Sequence, residues 1–241
     1  MQSQSATEWQ GVAFSKVQPN LKTYKLVLEA WAYANHTLEG PDRAEEILRH
    51  MLSMSKVGVE IQPDVECFHI VMRAHAEAIR KRRKGGDGTA SVERAQKVTA
   101  LLDWMELLGL RNMKIRPTTE TYRIALSAWV WSHHINAPQE AEGILYRMIR
   151  AYEAKDRQPK IIVASGNDGA KPKPVEPLVR PEVRDFNTLI NCCSFARKVG
   201  VDKSEEDDDS MLERQISHAE IYNIAQSALD ALIAADYAQP D

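Results

Sequence analysis

Apolar residues along this chain fall into short stripes at helical spacing, separated by polar or proline- and glycine-rich stretches. The clearest case is residues 117–148, where Tyr122, Ala125, Leu126 and Trp129 stand at i, i+3, i+4 and i+7, and Ala141, Ile144, Leu145 and Met148 repeat that spacing. On a 3.6-residue helix each set makes one apolar face. Pro138 can open the second helix, because the N–H that proline lacks is not needed in a first turn. The polar stretch 132–137 reads as the connection. The segment therefore predicts a helical hairpin with one apolar seam on each helix.

The hairpin recurs. A proline followed five residues later by an aromatic occurs as Pro19/Tyr24, Pro63/Phe68, Pro117/Tyr122 and Pro181/Phe186. The other first-helix stripes are Tyr24, Val27, Leu28, Trp31, then Phe68, Val71, Met72, His75, then Phe186, Leu189, Ile190, Cys193. The other second-helix stripes are Ala44, Ile47, Leu48, Met51, then Val98, Leu101, Leu102, Met105, then Ala225, Ala228, Leu229, Leu232. A unit that cannot bury its own apolar faces stacks on its neighbours, so the pattern predicts an all-α solenoid of about four hairpins. The repeats are placed at residues 18–62, 63–116, 117–157 and 181–241. Asn20 suits an N-cap, Gly40-Pro41-Asp42 suits the start of a second helix, and Ser217 with Glu220 suits a capping box. Residues 1–17 predict a poorly ordered N-terminal segment, and 158–180, rich in Pro, Gly and Lys, a disordered linker. Repeat two carries a basic loop at 80–88 and repeat four an acidic loop at 202–210.

Charge and composition narrow the chemistry. No apolar run approaches the roughly 18 residues of a membrane span. Cys67, Cys192 and Cys193 are too few and too badly spaced for a disulfide framework, which favours a reducing compartment. Adjacent on a helix, Cys192 and Cys193 point apart, so one is expected to pack and the other to remain open to reaction. Met51, Met105 and Met148 are expected in the core, as are Trp31 and Trp129. Net charge is −3, and the acidic run 205–209 supplies five negatives, so the rest of the chain carries +2 and leaves room for a basic groove. His36, His133 and His134 read as loop residues, without partners at metal-ligand spacing. There is no nucleophile–base pair, phosphate-cradling glycine loop or catalytic carboxylate cluster. The expectation is a non-catalytic protein without cofactor, metal, membrane contact or small-molecule substrate.

The pieces PNLKTYKLVLEAW with AEEILRHM, PDVECFHIVMRAH with VTALLDWM, PTTETYRIALSAW with AEGILYRM, and PEVRDFNTLINCC with AQSALDAL together resemble the pentatricopeptide repeat across nearly the whole chain. The repeats here are longer, with the extra residues in loops, where added length costs little entropy. The resemblance implies a right-handed α-α superhelix that holds single-stranded RNA along its concave face, one base per repeat. It places base selection at Lys25, His69, Arg123 and Asn187, partnered by Asp64, Thr118, Glu182 and Asp241. Only Asn187 with Asp241 matches a pairing familiar in the family, one that favours uracil. Lys25 and Arg123 would contact phosphates and His69 would stack on a base. The implied role is organellar RNA processing, stability or translation, in a mitochondrion or plastid.

Residues 1–17 have neither the Arg-rich character of a transit peptide nor the apolar core of a signal peptide. Gln239-Pro240-Asp241 echoes Gln62-Pro63-Asp64, which predicts that a fifth repeat would begin there and that the chain is a truncated product. Two other readings stand beside RNA binding. One is a protein-binding scaffold, such as an accessory subunit of an organellar ribonucleoprotein. The other is a piece of a larger protein with a further domain beyond Asp241. A positive stripe through Lys25, Arg73 and Arg123 would favour RNA, and a neutral or acidic one a protein partner.

Overall fold

The computed structural model describes residues 19–34, 39–56, 61–82, 88–154, 178–201 and 217–234. The N-terminal segment 1–17, the centre of the basic loop, most of the 158–180 linker, the acidic loop 202–210 and Asp241 lie outside the described residues. Within them are eight α-helices and no strand: α1 (Leu21–Ala32), α2 (Gly40–Lys56), α3 (Val65–Arg82), α4 (Gly88–Gly109), α5 (Thr119–Ser132), α6 (Ala137–Glu153), α7 (Val183–Val201) and α8 (His218–Ala234). None of them is long and apolar enough to cross a membrane.

Each odd-numbered helix begins two residues after one of the four recurring prolines, because the intervening residue ends the extended chain and caps the helix. The side chain of Asn20 accepts the Thr23 N–H at 3.0 Å, and Asp64 accepts the Cys67 N–H at 3.2 Å. Reciprocally, the Thr118 N–H donates to Thr121 Oγ1 at 2.9 Å and the Glu182 N–H to Asp185 Oδ2 at 2.8 Å. The side chain of the residue before the aromatic, Thr23, Thr121 or Asp185, thus supplies the second half of the capping device in three of the four copies. Ser217 and Glu220 cap α8 as the spacing predicts, through bonds of 2.8 and 3.2 Å. The α5–α6 connection is tight: His133 takes a left-handed φ of 52°, and Pro138 sits in the first turn of α6. The linker is anchored at its end. The Leu178 carbonyl accepts the Thr119 N–H at 3.1 Å, and Val179 is buried.

The helices pack as consecutive hairpins, α1 on α2, α3 on α4, α5 on α6 and α7 on α8. The first helices also lie side by side, α1 against α3, α3 against α5 and α5 against α7. Phe68, Tyr122 and Phe186 are fully buried in the seams this creates, with Leu48, Leu102 and Leu145 and the methionines Met51, Met105 and Met148. Each large side chain so buried contributes about 1.5–3 kcal/mol. Tyr122 places its hydroxyl 2.9 Å from Glu106, which Arg147 also holds, so the phenol does not enter the core unpaired.

Three expectations are corrected. Trp129 is buried and donates from Nε1 to Thr99 Oγ1 at 2.9 Å, but Trp31, at the same repeat position, is 38% exposed because no hairpin precedes α1 among the described residues. Both Cys192 and Cys193 are buried, and burial pushes their thiols up to about 12 and about 11, so neither stands open to reaction. Arg80 and Lys81 lie on α3 rather than in a loop. Replacing Trp129 by Ala should cost about 3–5 kcal/mol in urea unfolding, and Trp31→Ala about 1 kcal/mol, reflecting their different burial.

Candidate functional site

The side-by-side first helices leave a groove of about 640 Å3. Its walls carry Glu29 and Tyr33 from the α1 end, Glu66, Arg73 and Glu77 from α3, and Glu120, Arg123 and Trp131 from α5. Arg80 and Lys81 reach the same hollow, giving four acids and four bases in its lining. The Arg80 guanidinium stands 5.9 Å over the Trp131 ring and bonds to Glu77 at 2.7 Å.

Two of the four pairs singled out by the pentatricopeptide likeness, Lys25 with Asp64 and Arg123 with Glu182, meet across successive hairpins. Lys25 Nζ is 2.7 Å from Asp64 Oδ2. The hydrogen bond to Asp64 raises the lysine pKa. Burial works to raise that of Asp64, but the Lys25 ammonium and the Cys67 N–H outweigh it and hold it low. Arg123 grips Asp185 with two bonds, 2.7 and 3.0 Å, and also reaches Glu182 at 3.1 Å. His69 is buried, with Nε2 2.8 Å from Thr121 Oγ1, the same hydroxyl that accepts the Thr118 N–H. Burial lowers the His69 pKa, with the nearby Arg73 adding to it. This ring is therefore packed between α3 and α5, not presented for stacking. Asn187 is exposed on α7, and Asp241 lies outside the described residues. Arg73, the third member of the candidate cationic stripe, lies between Glu66 at 3.3 Å and Glu120 at 3.4 Å. Lys25, Arg73 and Arg123 are therefore all ion-paired, and the stripe is neutral.

Two partners in these contacts escaped the sequence reading. Thr121 and Asp185 occupy the column just before the aromatic, and the capping-box spacing from Thr118 and Glu182 would have drawn attention to them. Asp185 does double duty, closing the α7 cap and pairing with Arg123 while only 2% exposed.

A second charged cluster joins α2, α3 and α4. His75 is fully buried, with Nε2 3.2 Å from Glu45 and Nδ1 3.3 Å from the Arg94 guanidinium. A guanidinium can only donate, so Nδ1 accepts and the ring proton on Nε2 faces Glu45. Asp42 completes the group, held by Arg94 at 3.6 Å and by a close contact with Lys97. Asp42, Glu45 and His75 are near enough together to suggest metal ligands. Arg94 and Lys97 already hold Asp42, however, and the ring nitrogen facing the group carries a proton. The cluster is a structural ion network. The His75 ring nitrogen 3.2 Å away holds the Glu45 carboxyl down at about 2, against the opposing effect of burial and with help from Arg49.

No family model matches the chain, nor does any curated protein or solved structure.

Arg123→Ala would leave Asp185 buried without its cation and should cost about 3–5 kcal/mol. Lys25→Ala breaks a partly exposed pair and should cost about 1 kcal/mol or less, both read from urea midpoints. Glu45 is depressed in the folded chain, so its contribution is present above the ordinary carboxylate range and is lost as pH falls towards 2. Between about pH 5 and pH 2, Glu45→Gln should therefore lose less stability than the parent chain, measured by urea unfolding at each pH.

Proposed function

We propose that the chain is a non-catalytic binding scaffold, a solenoid of pentatricopeptide-like hairpins whose first-helix groove holds a segment of a partner protein. The observation that carries this is the pairing of Lys25, Arg73 and Arg123, each with carboxylates. Nucleic-acid affinity comes largely from cations that neutralise phosphates and release counterions. Here those cations are already matched, and Glu66, Glu120 and Glu182 beside them oppose a polyanion. A lining that mixes Tyr33, Ile70 and Trp131 with balanced Arg and Glu suits a polypeptide of mixed character.

Single-stranded RNA is the second reading. One observation favours it: Lys25 meets Asp64 and Arg123 meets Glu182 between neighbouring hairpins, the pairs to which the pentatricopeptide likeness assigns base choice. On that reading the RNA site also includes His69, Thr118, Asn187 and Asp241, and a role in organellar transcripts follows from the likeness. A photocrosslinking amino acid in place of Ser127, inside the groove, separates the two in cells. The expected adduct is destroyed by protease and resists ribonuclease. A ribonuclease-sensitive adduct, together with salt-sensitive retention of homopolymer RNA on filters, would replace the protein reading with the RNA one.

A further inference from the structure

We propose that the two ends of the hairpin row are complementary, and that a second copy of this chain docks on them head to tail: the α1–α2 end of one copy against the α8 end of another. Identical repeat positions differ in burial between internal and end hairpins. Val71, Ala125 and Leu189 follow their aromatics by three residues and are fully buried, whereas Val27, in the same place, is 41% exposed. Leu48, Leu102 and Leu145 share one second-helix position and are buried, whereas Leu229, their equivalent, is also 41% exposed. One helical turn further on, Ile233 is 75% exposed.

An internal junction shows what these positions pack against. Leu145 and Ile149 of α6 line one narrow gap with Phe186 and Leu189 of α7. Leu229 and Ile233 are the same two positions one hairpin later, and Tyr24 and Val27 are the equivalents of Phe186 and Leu189. Each end therefore lacks the surface that the other presents. At the α1–α2 end the uncovered surface forms an open hollow of about 340 Å3, walled by Pro19, Tyr24, Val27 and Ile47 with Glu46 and His50 at its edge. Among the described residues each end exposes apolar side chains at positions that the internal hairpins bury, and exposed apolar patches mark interaction surfaces. The two surfaces differ, so the contact is heterologous and leaves a free head and a free tail unless a ring closes. The inference rests on the equivalence of the hairpins and not on the ligand of the groove.

Sedimentation velocity of the full chain over a range of concentrations tests it. The parent chain should sediment as species that grow with concentration. Val27→Asp and Leu229→Asp should each remain monomeric with unchanged circular dichroism, since both positions are exposed. Mixed in equal amounts, the two variants should form a dimer and nothing larger, because each supplies the end the other has lost. Ile233→Asp should reproduce Leu229→Asp and guards against a folding defect at Leu229. A parent chain that stays monomeric at every concentration overturns the proposal and leaves the ends to another occupant, the chain's own flanking segments among them. A parent dimer blocked by only one of the two Asp variants overturns it in favour of a like-with-like contact.

Discussion

What the structure depends on is that no single hairpin can cover its own apolar surface. Each helix pair closes one seam internally and leaves another that the next hairpin must seal. Phe68, Tyr122 and Phe186 show this directly, since each is fully buried while Tyr24, at the same position with no hairpin before it among the described residues, is only partly covered. With about 1.5–3 kcal/mol for each large side chain buried, an internal hairpin draws stability from both of its neighbours. An end hairpin has one neighbour and forgoes half of that gain. The contrast between Trp129 and Trp31 is the same effect seen on an indole.

Bringing first helices side by side also forces their polar residues together. Lys25 lies 39 residues from Asp64 and Arg123 lies 62 from Asp185, yet both pairs are closed. They differ in consequence. The Lys25 pair is open enough to water to add little, whereas Asp185 is so buried that Arg123 is required to hold it. Coupled to the α7 cap through Asp185, Arg123 ties the start of one hairpin to the face of the previous one. The groove is therefore neutral because its charges also fix the hairpins against one another. A ligand entering it must offer replacements for those pairs, which favours groups of both signs over a run of phosphates.

The all-helical fold was legible because its signals are local. Stripe spacing, the leading prolines and the capping residues act within a few positions, and each of the four first helices starts where the proline column places it. The site was legible only as a set of columns. That Lys25 and Asp64 would act together was implied by the pentatricopeptide resemblance, but their mutual neutralisation was not, because it depends on the spacing between helices far apart in sequence. His69, which the resemblance would set against a base, is instead buried, because Thr121 of the next hairpin supplies its partner. Cys192, which lies off the apolar stripe, and Trp31, which lies on it, depart from the pattern in opposite directions for one reason. Helical periodicity gives the face a side chain occupies, while burial is decided by whether a neighbouring hairpin lies on that face.

The ends and the groove follow from one geometry and need not act independently. Docking a second copy on the α8 end would continue the row of first helices from α7 to the α1 of the next molecule, and the groove with it. A ligand confined to α1, α3 and α5 would be indifferent to that extension. One long enough to touch both copies would hold them at high effective concentration, so that binding and assembly would strengthen each other without any new contact. Ion pairs at every internal junction suit such an extension, because they favour one spacing between hairpins and disfavour slippage. Asn187 stands at the open side of the row, uncharged where Lys25 and Arg123 are cations. The position that would face it on a docked copy, just after Pro19, is Asn20, also uncharged.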